Sequence, residues 1–197
     1  NSKEAAINRV GNRLYKLMFE NYTNKQWAID PSELEASVLE RIPVRTDHND
    51  RYFSDSHEAM PVDGYTKFVK NILTHKNINV LLNKDYFEMK ANNKLPSHDY
   101  IFYTGKIDTY FGDKHGKLQY RSLIFEHEVH DKESYQDSAV VNYPSINVKY
   151  TRIVEHKKLY QQINPKTLIT KEYSTAFGEP YYPIPTIRNR RLYKKYQ

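Results

Sequence analysis

Tyr120-Arg121-Ser122-Leu123-Ile124-Phe125-Glu126 decides the fold class. The stretch is short, aromatic and aliphatic, and it reads as a β-strand. Working downstream, Ala139–Tyr143, Tyr150–Glu155 and Thr167–Tyr173 read the same way. Upstream, the apolar runs Ile78–Leu82 and Tyr100–Tyr103 are expected as two further strands. Strands that follow one another with turns between them, rather than alternating with helices, predict a mainly antiparallel sheet.

The period changes ahead of that sheet. Ile7, Val10, Leu14, Leu17 and Met18 recur at helical spacing, which predicts an amphipathic helix over roughly residues 3–20. Asp30, Pro31 and Glu33 form the signature of a capped helix start, so a second helix is expected to run to about Leu39 and fray near Arg41. Residues 43–62 are polar and irregular, as functional loops often are. Asp63-Gly64 opens a third helix carrying Tyr65, Phe68, Val69, Ile72 and Leu73, and a short helix is expected near 186–196. The fold class is therefore α+β: N-terminal helices, then a mainly antiparallel β-sheet. The expected division is a helical segment over 1–75, with a mobile loop near 34–45, and a sheet domain over 76–197 that ends in the short helix.

The chain has 197 residues, 39% of them hydrophobic, which is enough for one packed core. With 18 Tyr and 8 Phe, that core leans on rings that also carry polar hydroxyls. A net charge of +6 favours an anionic partner, but the basic residues are scattered. The one cluster, Arg188-Asn189-Arg190-Arg191 with Lys194-Lys195, reads as a solvated helix face. Cysteine is absent, which removes disulfides, thiolate zinc sites and thiol nucleophiles. Nothing approaches the ~20 apolar residues of a membrane span. A cytoplasmic location is expected, with no nucleic-acid partner. The histidines do not argue for a metal: strand alternation sends His127 and His130 to opposite faces.

Tyr22-Thr23-Asn24-Lys25-Gln26-Trp27 is the run that points to a ligand. Trp27 is the single tryptophan and sits among polar residues, where an indole can serve as a stacking platform. Downstream, Arg41, Arg121 and Arg152 offer planar charged forks suited to phosphate oxygens, and Tyr181-Tyr182 adds rings. Together they suggest a ligand with a base, a sugar and a diphosphate. Each has a plainer use as well. Trp27 can be core. Arg41 can pair with Glu33 or Glu40, and Arg152 with Glu155 or Glu172.

The chain resembles the central and C-proximal part of the bacterial UDP-galactopyranose mutase family. Besides Tyr22–Trp27, the matching segments include Arg41-Ile-Pro-Val-Arg45, Asp50-Arg-Tyr-Phe53, Met60–Thr66 and Tyr103-Thr-Gly-Lys-Ile-Asp108. They continue through Tyr120–Leu123, Val141–Pro144, Tyr150–Glu155, Lys171–Tyr173 and Pro180–Ile184. The matches are collinear and span nearly the whole chain, and their specificity lies in the set.

That resemblance implies an isomerase that interconverts UDP-galactopyranose and UDP-galactofuranose and needs reduced FAD, through an adduct between the flavin N5 and galactose. It implies catalytic roles for Arg41 and Arg152, on opposite sides of the diphosphate, with Arg41 on a mobile loop. Tyr22, Trp27, Tyr52 and Tyr181 would bind substrate. Arg121, Thr104 and Gly105 would lie at the flavin. Two departures stand out: Ala28 where the family has Gly, and Lys106 where it has Pro.

No Gly-x-Gly-x-x-Gly fingerprint is present. The chain is therefore expected to be a piece of a longer FAD-dependent protein, binding FAD poorly and inactive alone; a homo-oligomer is possible. The alternative is a stand-alone nucleotide or polyanion binding module without catalysis. Steep loss of affinity with salt would mark a polyanion binder; a preference for UDP would mark the mutase.

Overall fold

The computed structural model describes residues 1–40, 42–49 and 51–197, and these fall into two compact units. The first comprises Asn1–Glu58 and Ile107–Gln197; the second is Ala59–Lys106.

The first unit opens with helix α1, Ser2–Leu14, whose N-cap Asn1 accepts a hydrogen bond from the Glu4 amide at 2.9 Å. Gly11 interrupts it with φ 75° and ψ 164°, a conformation that only glycine adopts at little cost. A π-helical turn, Tyr15–Glu20, and helix α2, Asn21–Trp27, continue the chain. The kink splits the predicted apolar stripe. Ala6, Ile7 and Val10 pack into the core before it, whereas Leu14, Leu17 and Met18 are half-exposed.

The helix expected after Asp30 is shorter and broken. The Asp30 carboxylate accepts from the Ser32 amide at 2.8 Å, as a cap should, but the turn it starts is a single 3-10 turn, Pro31–Glu33. Leu34 then turns extended and makes an isolated β-bridge to Thr186 before helix α3, Ser37–Glu40. Burying Leu34 against Tyr15, Val38, Leu39 and Ile184 outweighs continued helix. A buried leucine contributes about 1.5–3 kcal/mol, more than one residue of helix propensity. Arg41, at the end of that expected helix, lies outside the described residues.

The sheet is antiparallel throughout, in the order β2-β3-β4-β1-β5. Its strands are β1 Tyr120–His130, β2 Val140–Asn142, β3 Arg152–Glu155, β4 Thr167–Thr175 and β5 Tyr182–Pro183. The α+β class read from the sequence is what the structure has. Asn189, in the C-terminal helix Ile187–Tyr193, clamps the start of β1. It accepts from the Gln119 amide at 3.1 Å and donates to the Gln119 and Ile184 carbonyls at 2.8 and 2.9 Å. Around it Arg188, Arg191, Lys194 and Lys195 are exposed, and Arg190 pairs with Glu35.

The second unit has helix α4, Gly64–Leu73, and helix α5, Tyr86–Ala91, the latter capped by Asp85. Tyr86, Phe87 and Tyr103 meet as a ring cluster with centroids 5.2–5.8 Å apart. Ile78–Leu82 and Tyr100–Tyr103 are not strands. An apolar run becomes a strand only by joining a hydrogen-bonded ladder, and neither run lies in a β-ladder among the described residues. Ile78, Val80, Leu81, Tyr100 and Phe102 are exposed instead. No helix among the described residues is long and apolar enough to cross a membrane.

Candidate functional site

Sheet register sorts the side chains. Asn142 of β2 stands opposite Arg152 of β3, Arg152 opposite Glu172 of β4, and Glu172 opposite Phe125 of β1. Directly paired residues share a face, so these four project to the same side. By the same alternation Arg121 and Ser174 join them, and Glu155 goes to the other side.

Helix α2 lies over that face. The Tyr22 hydroxyl donates to Asn142 Oδ1 and accepts from Arg152 Nη2, both at 3.4 Å, which is long for a hydrogen bond. One turn on, Lys25 reaches the β2–β3 loop. Its Nζ donates to the Ser145, Val148 and Tyr150 carbonyls at 3.1, 3.0 and 3.0 Å, and to that of Tyr143. Burial lowers the Lys25 pKa. The Gln26 carbonyl accepts from Arg121 Nε at 3.1 Å and Ser174 Oγ at 2.5 Å. Trp27, the last residue of α2, meets Tyr182 edge to face, centroids 6.2 Å apart.

These contacts close a circuit. Arg152 and Tyr22 touch; Tyr22 and Trp27 share α2; Trp27 meets Tyr182. Tyr182 lies 6.4 Å from Tyr181, and Tyr181 meets Phe125 at 5.9 Å. Phe125 stands opposite Glu172, and Glu172 Oε2 lies 3.0 Å from Arg152 Nε. That last contact is an ion pair whose geometry gives no aligned hydrogen bond to Nε. Tyr181 and Tyr182 remain accessible, and the Arg152 side chain is 31% exposed. The result is an accessible band of the Phe125, Tyr181 and Tyr182 rings with one guanidinium and a partly neutralising carboxylate, while Trp27 is half-buried and packs against the core. Burial raises the Glu172 pKa, and the facing Arg152 opposes that shift.

Arg121 has a different setting. It is 7% exposed, and its Nε and Nη2 both reach Ser174 Oγ, at 3.2 and 3.0 Å. Burial lowers its pKa. The guanidinium bolts the end of α2 to the sheet. Tyr52 joins a separate feature, a cavity of about 280 Å³ lined also by Ile42, Pro43, Arg45, Asp47, Asn49 and Arg51. Its ring packs edge-on against Phe53. Thr104 and Gly105 belong to the second unit, in an exposed turn. A Cβ on Gly105 would fall 2.4 Å from the Tyr103 hydroxyl, so the glycine admits that ring.

Sequence reasoning did not single out Lys25, Gln26, Ser174, Asn142 or Phe125. Lys25 and Gln26 lie in the Tyr22–Trp27 run and Asn142 in the Val141–Pro144 segment, but their roles are not legible there, because each of the five acts through a partner at least 50 residues away. Of the two carboxylates weighed for Arg152, register selects Glu172. The histidines also find a use: His127 Nδ1 and His156 Nε2 both hydrogen-bond Thr170 Oγ1, at 2.8 and 2.6 Å.

Comparison with known proteins places this geometry in a family context. The model of the family described as UDP-galactopyranose mutase matches residues 17–197. The chain is 39% identical, over 98% of its length, to the Klebsiella pneumoniae protein named "Probable UDP-galactopyranose mutase", covering 50% of that protein. It is 36% identical, over 99% of its length, to the Escherichia coli protein named "dTDP-fucopyranose mutase", covering 53% of it. A Mycoplasma genitalium UDP-galactopyranose mutase is 32% identical over 96% of this chain and 52% of the relative. The chain thus spans about half the length of the curated relatives it matches.

Proposed function

Since this chain belongs to the UDP-galactopyranose mutase family, we propose that it forms the substrate-facing wall of an enzyme interconverting UDP-galactopyranose and UDP-galactofuranose. The observation that carries the reading is the circuit that includes Arg152: its charged fork touches Tyr22 and pairs with Glu172, and Trp27, Tyr182 and Tyr181 follow ring to ring. A nucleotide-linked sugar has matching parts, since rings stack on a base or sugar and a guanidinium takes two phosphate oxygens.

In this reading Arg152 meets the diphosphate, and Glu172 and Tyr22 hold its fork in place. A departing nucleoside diphosphate gains negative charge at its bridging oxygen. A preorganised guanidinium stabilises that charge more than it stabilises the bound substrate. Arg41 supplies the second positive charge. Trp27 and Tyr181 shield the sugar and phosphates from water, and Tyr52 contacts the uridine.

Reduced FAD is the cofactor that the family assignment implies. When bound it supplies the nucleophilic centre for exchange at the anomeric carbon. Of the residues that the resemblance puts at such a group, the Thr104–Gly105 turn is exposed and open to it, whereas the Arg121 guanidinium is buried against Gln26 and Ser174. Without a glycine fingerprint, this chain alone binds FAD weakly and does not turn over.

The Escherichia coli relative supports a second reading, a dTDP-linked 6-deoxyhexose as substrate. Titrating UDP and dTDP while following Trp27 fluorescence tests both. Saturable quenching by UDP, weaker with dTDP, is expected. Preference for dTDP selects the second reading, and a flat response to both overturns the binding site. Turnover of UDP-galactofuranose by the purified chain with reduced FAD would overturn the claim of inactivity alone.

A further inference from the structure

The Lys25 ammonium is surrounded by four main-chain carbonyls, of Tyr143, Ser145, Val148 and Tyr150. All four belong to the β2–β3 loop, so the loop wraps around a single cation. An ammonium carries three N–H donors. Four acceptors around three donors mean that the cage recognises charge and radius more than hydrogen-bond direction. Nested carbonyls of this kind are what protein sites offer a potassium or ammonium ion.

The loop's two ends matter to the candidate site. Asn142 immediately precedes the first caged carbonyl, and Arg152 stands two residues after the last. Both touch Tyr22, which lies one helical turn before Lys25. Helix, loop ends and cation form one assembly. Without the cation, four carbonyls would face one another with their dipoles opposed.

We propose that Lys25 is a positioning residue: a built-in monovalent cation that holds the β2–β3 loop closed and thereby sets Asn142 and Arg152 against Tyr22. The cage stands on its own geometry; its effect on nucleotide binding rests on the function proposed above. Arginine cannot replace it, because a planar fork has neither the radius nor the symmetry of the cage. Methionine keeps the stem and removes the charge. Alanine leaves the cage open to a free cation.

The test has two arms on the full chain. In the first, nitrogen-15 NMR of the wild type should show one lysine ammonium whose protons exchange slowly with water. The Tyr143 amide, which donates across the loop to the Thr151 carbonyl, and the Val148 amide, which donates to that of Ser145 within it, should exchange at least about tenfold faster in Lys25→Met. In the second, UDP affinity should fall about tenfold in Lys25→Met and Lys25→Ala. Ammonium chloride, but not sodium chloride at equal ionic strength, should restore Lys25→Ala. Absence of a protected ammonium signal in the wild type overturns the cage without needing any variant to fold. Unchanged loop exchange in Lys25→Met overturns the loop-holding role. A wild type that fails to bind UDP, with the first arm as expected, counts against the proposed function and leaves the cage standing. Equal UDP affinity in wild type and Lys25→Met overturns the link from cage to site.

Discussion

Replacing Arg152 with methionine should expose how far the candidate site depends on one charge. Arg152 and Glu172 have side chains 31% and 13% exposed, with Nε and Oε2 3.0 Å apart. Exposed pairs contribute about 0–1 kcal/mol, whereas breaking a buried one costs about 3–5 kcal/mol. This pair lies between, so the expected loss at neutral pH is about 1–3 kcal/mol. The pH dependence is the sharper signature. Burial already lifts the Glu172 pKa, and Arg152 is the cation that opposes it. Without Arg152 the pKa climbs further. A carboxyl with a raised folded-state pKa binds more protons folded than unfolded. Stability therefore declines as pH rises from the ordinary carboxyl range through the folded value. Arg152→Met should lose more stability at about pH 8 than at about pH 5, and adding Glu172→Gln should abolish the difference. Urea unfolding of wild type, single and double variants at both pH values measures this. An equal deficit at both pH values, or a double variant that keeps the dependence, would refute the electrostatic account of the site.

Three further outcomes are expected. Ala28 caps α2 in the left-handed region at φ 53°, ψ 33°, and its side chain is exposed, so Ala28→Gly should raise stability by about 0.5–1 kcal/mol in the same urea assay; a loss would mean the methyl packs better than its exposure indicates. Glu155 is fully buried and accepts from the Tyr135 and Gln136 amides and Thr167 Oγ1 at 2.7–3.1 Å, which together hold its pKa below the ordinary value despite burial. Its contribution is present above the ordinary carboxyl range and lost as pH falls through its lowered pKa, so Glu155→Gln should cost about 2–4 kcal/mol at neutral pH and less in acid, by thermal melting. Gly105→Ala should push the Tyr103 ring off Tyr86 and Phe87 and destabilise the second unit by about 0.5–1.5 kcal/mol, read by hydrogen exchange within residues 59–106.

Ala28 shows why a departure from a family pattern can be read physically. The resemblance implies glycine at this position, and the positive φ there is a conformation that glycine adopts at least cost. Lys106, the other departure, is exposed next to the Gly105 turn, and nothing in the structure explains it.

What the sequence determined by itself is what neighbouring residues control. The Asp30 cap, the helix after Asp63-Gly64 and the strands from Tyr120 onward follow from side-chain chemistry within a few positions. The collinear motifs determined the family in the same way, each as a local string. Tertiary structure alone decided which strings met. Ile78–Leu82 has the composition of a strand and joins no ladder among the described residues, while Tyr182–Pro183 has little strand character and pairs with Tyr120 and Arg121. Glu172 rather than Glu155 faces Arg152, because residues 152 and 155 point to opposite sides of one strand and β4 brings Glu172 across. Lys25 is an ordinary polar residue of a helix until a loop 118–125 positions away folds its carbonyls around it. Local chemistry is written in short range, whereas register, burial and the partners of a charge exist only once distant segments pack together.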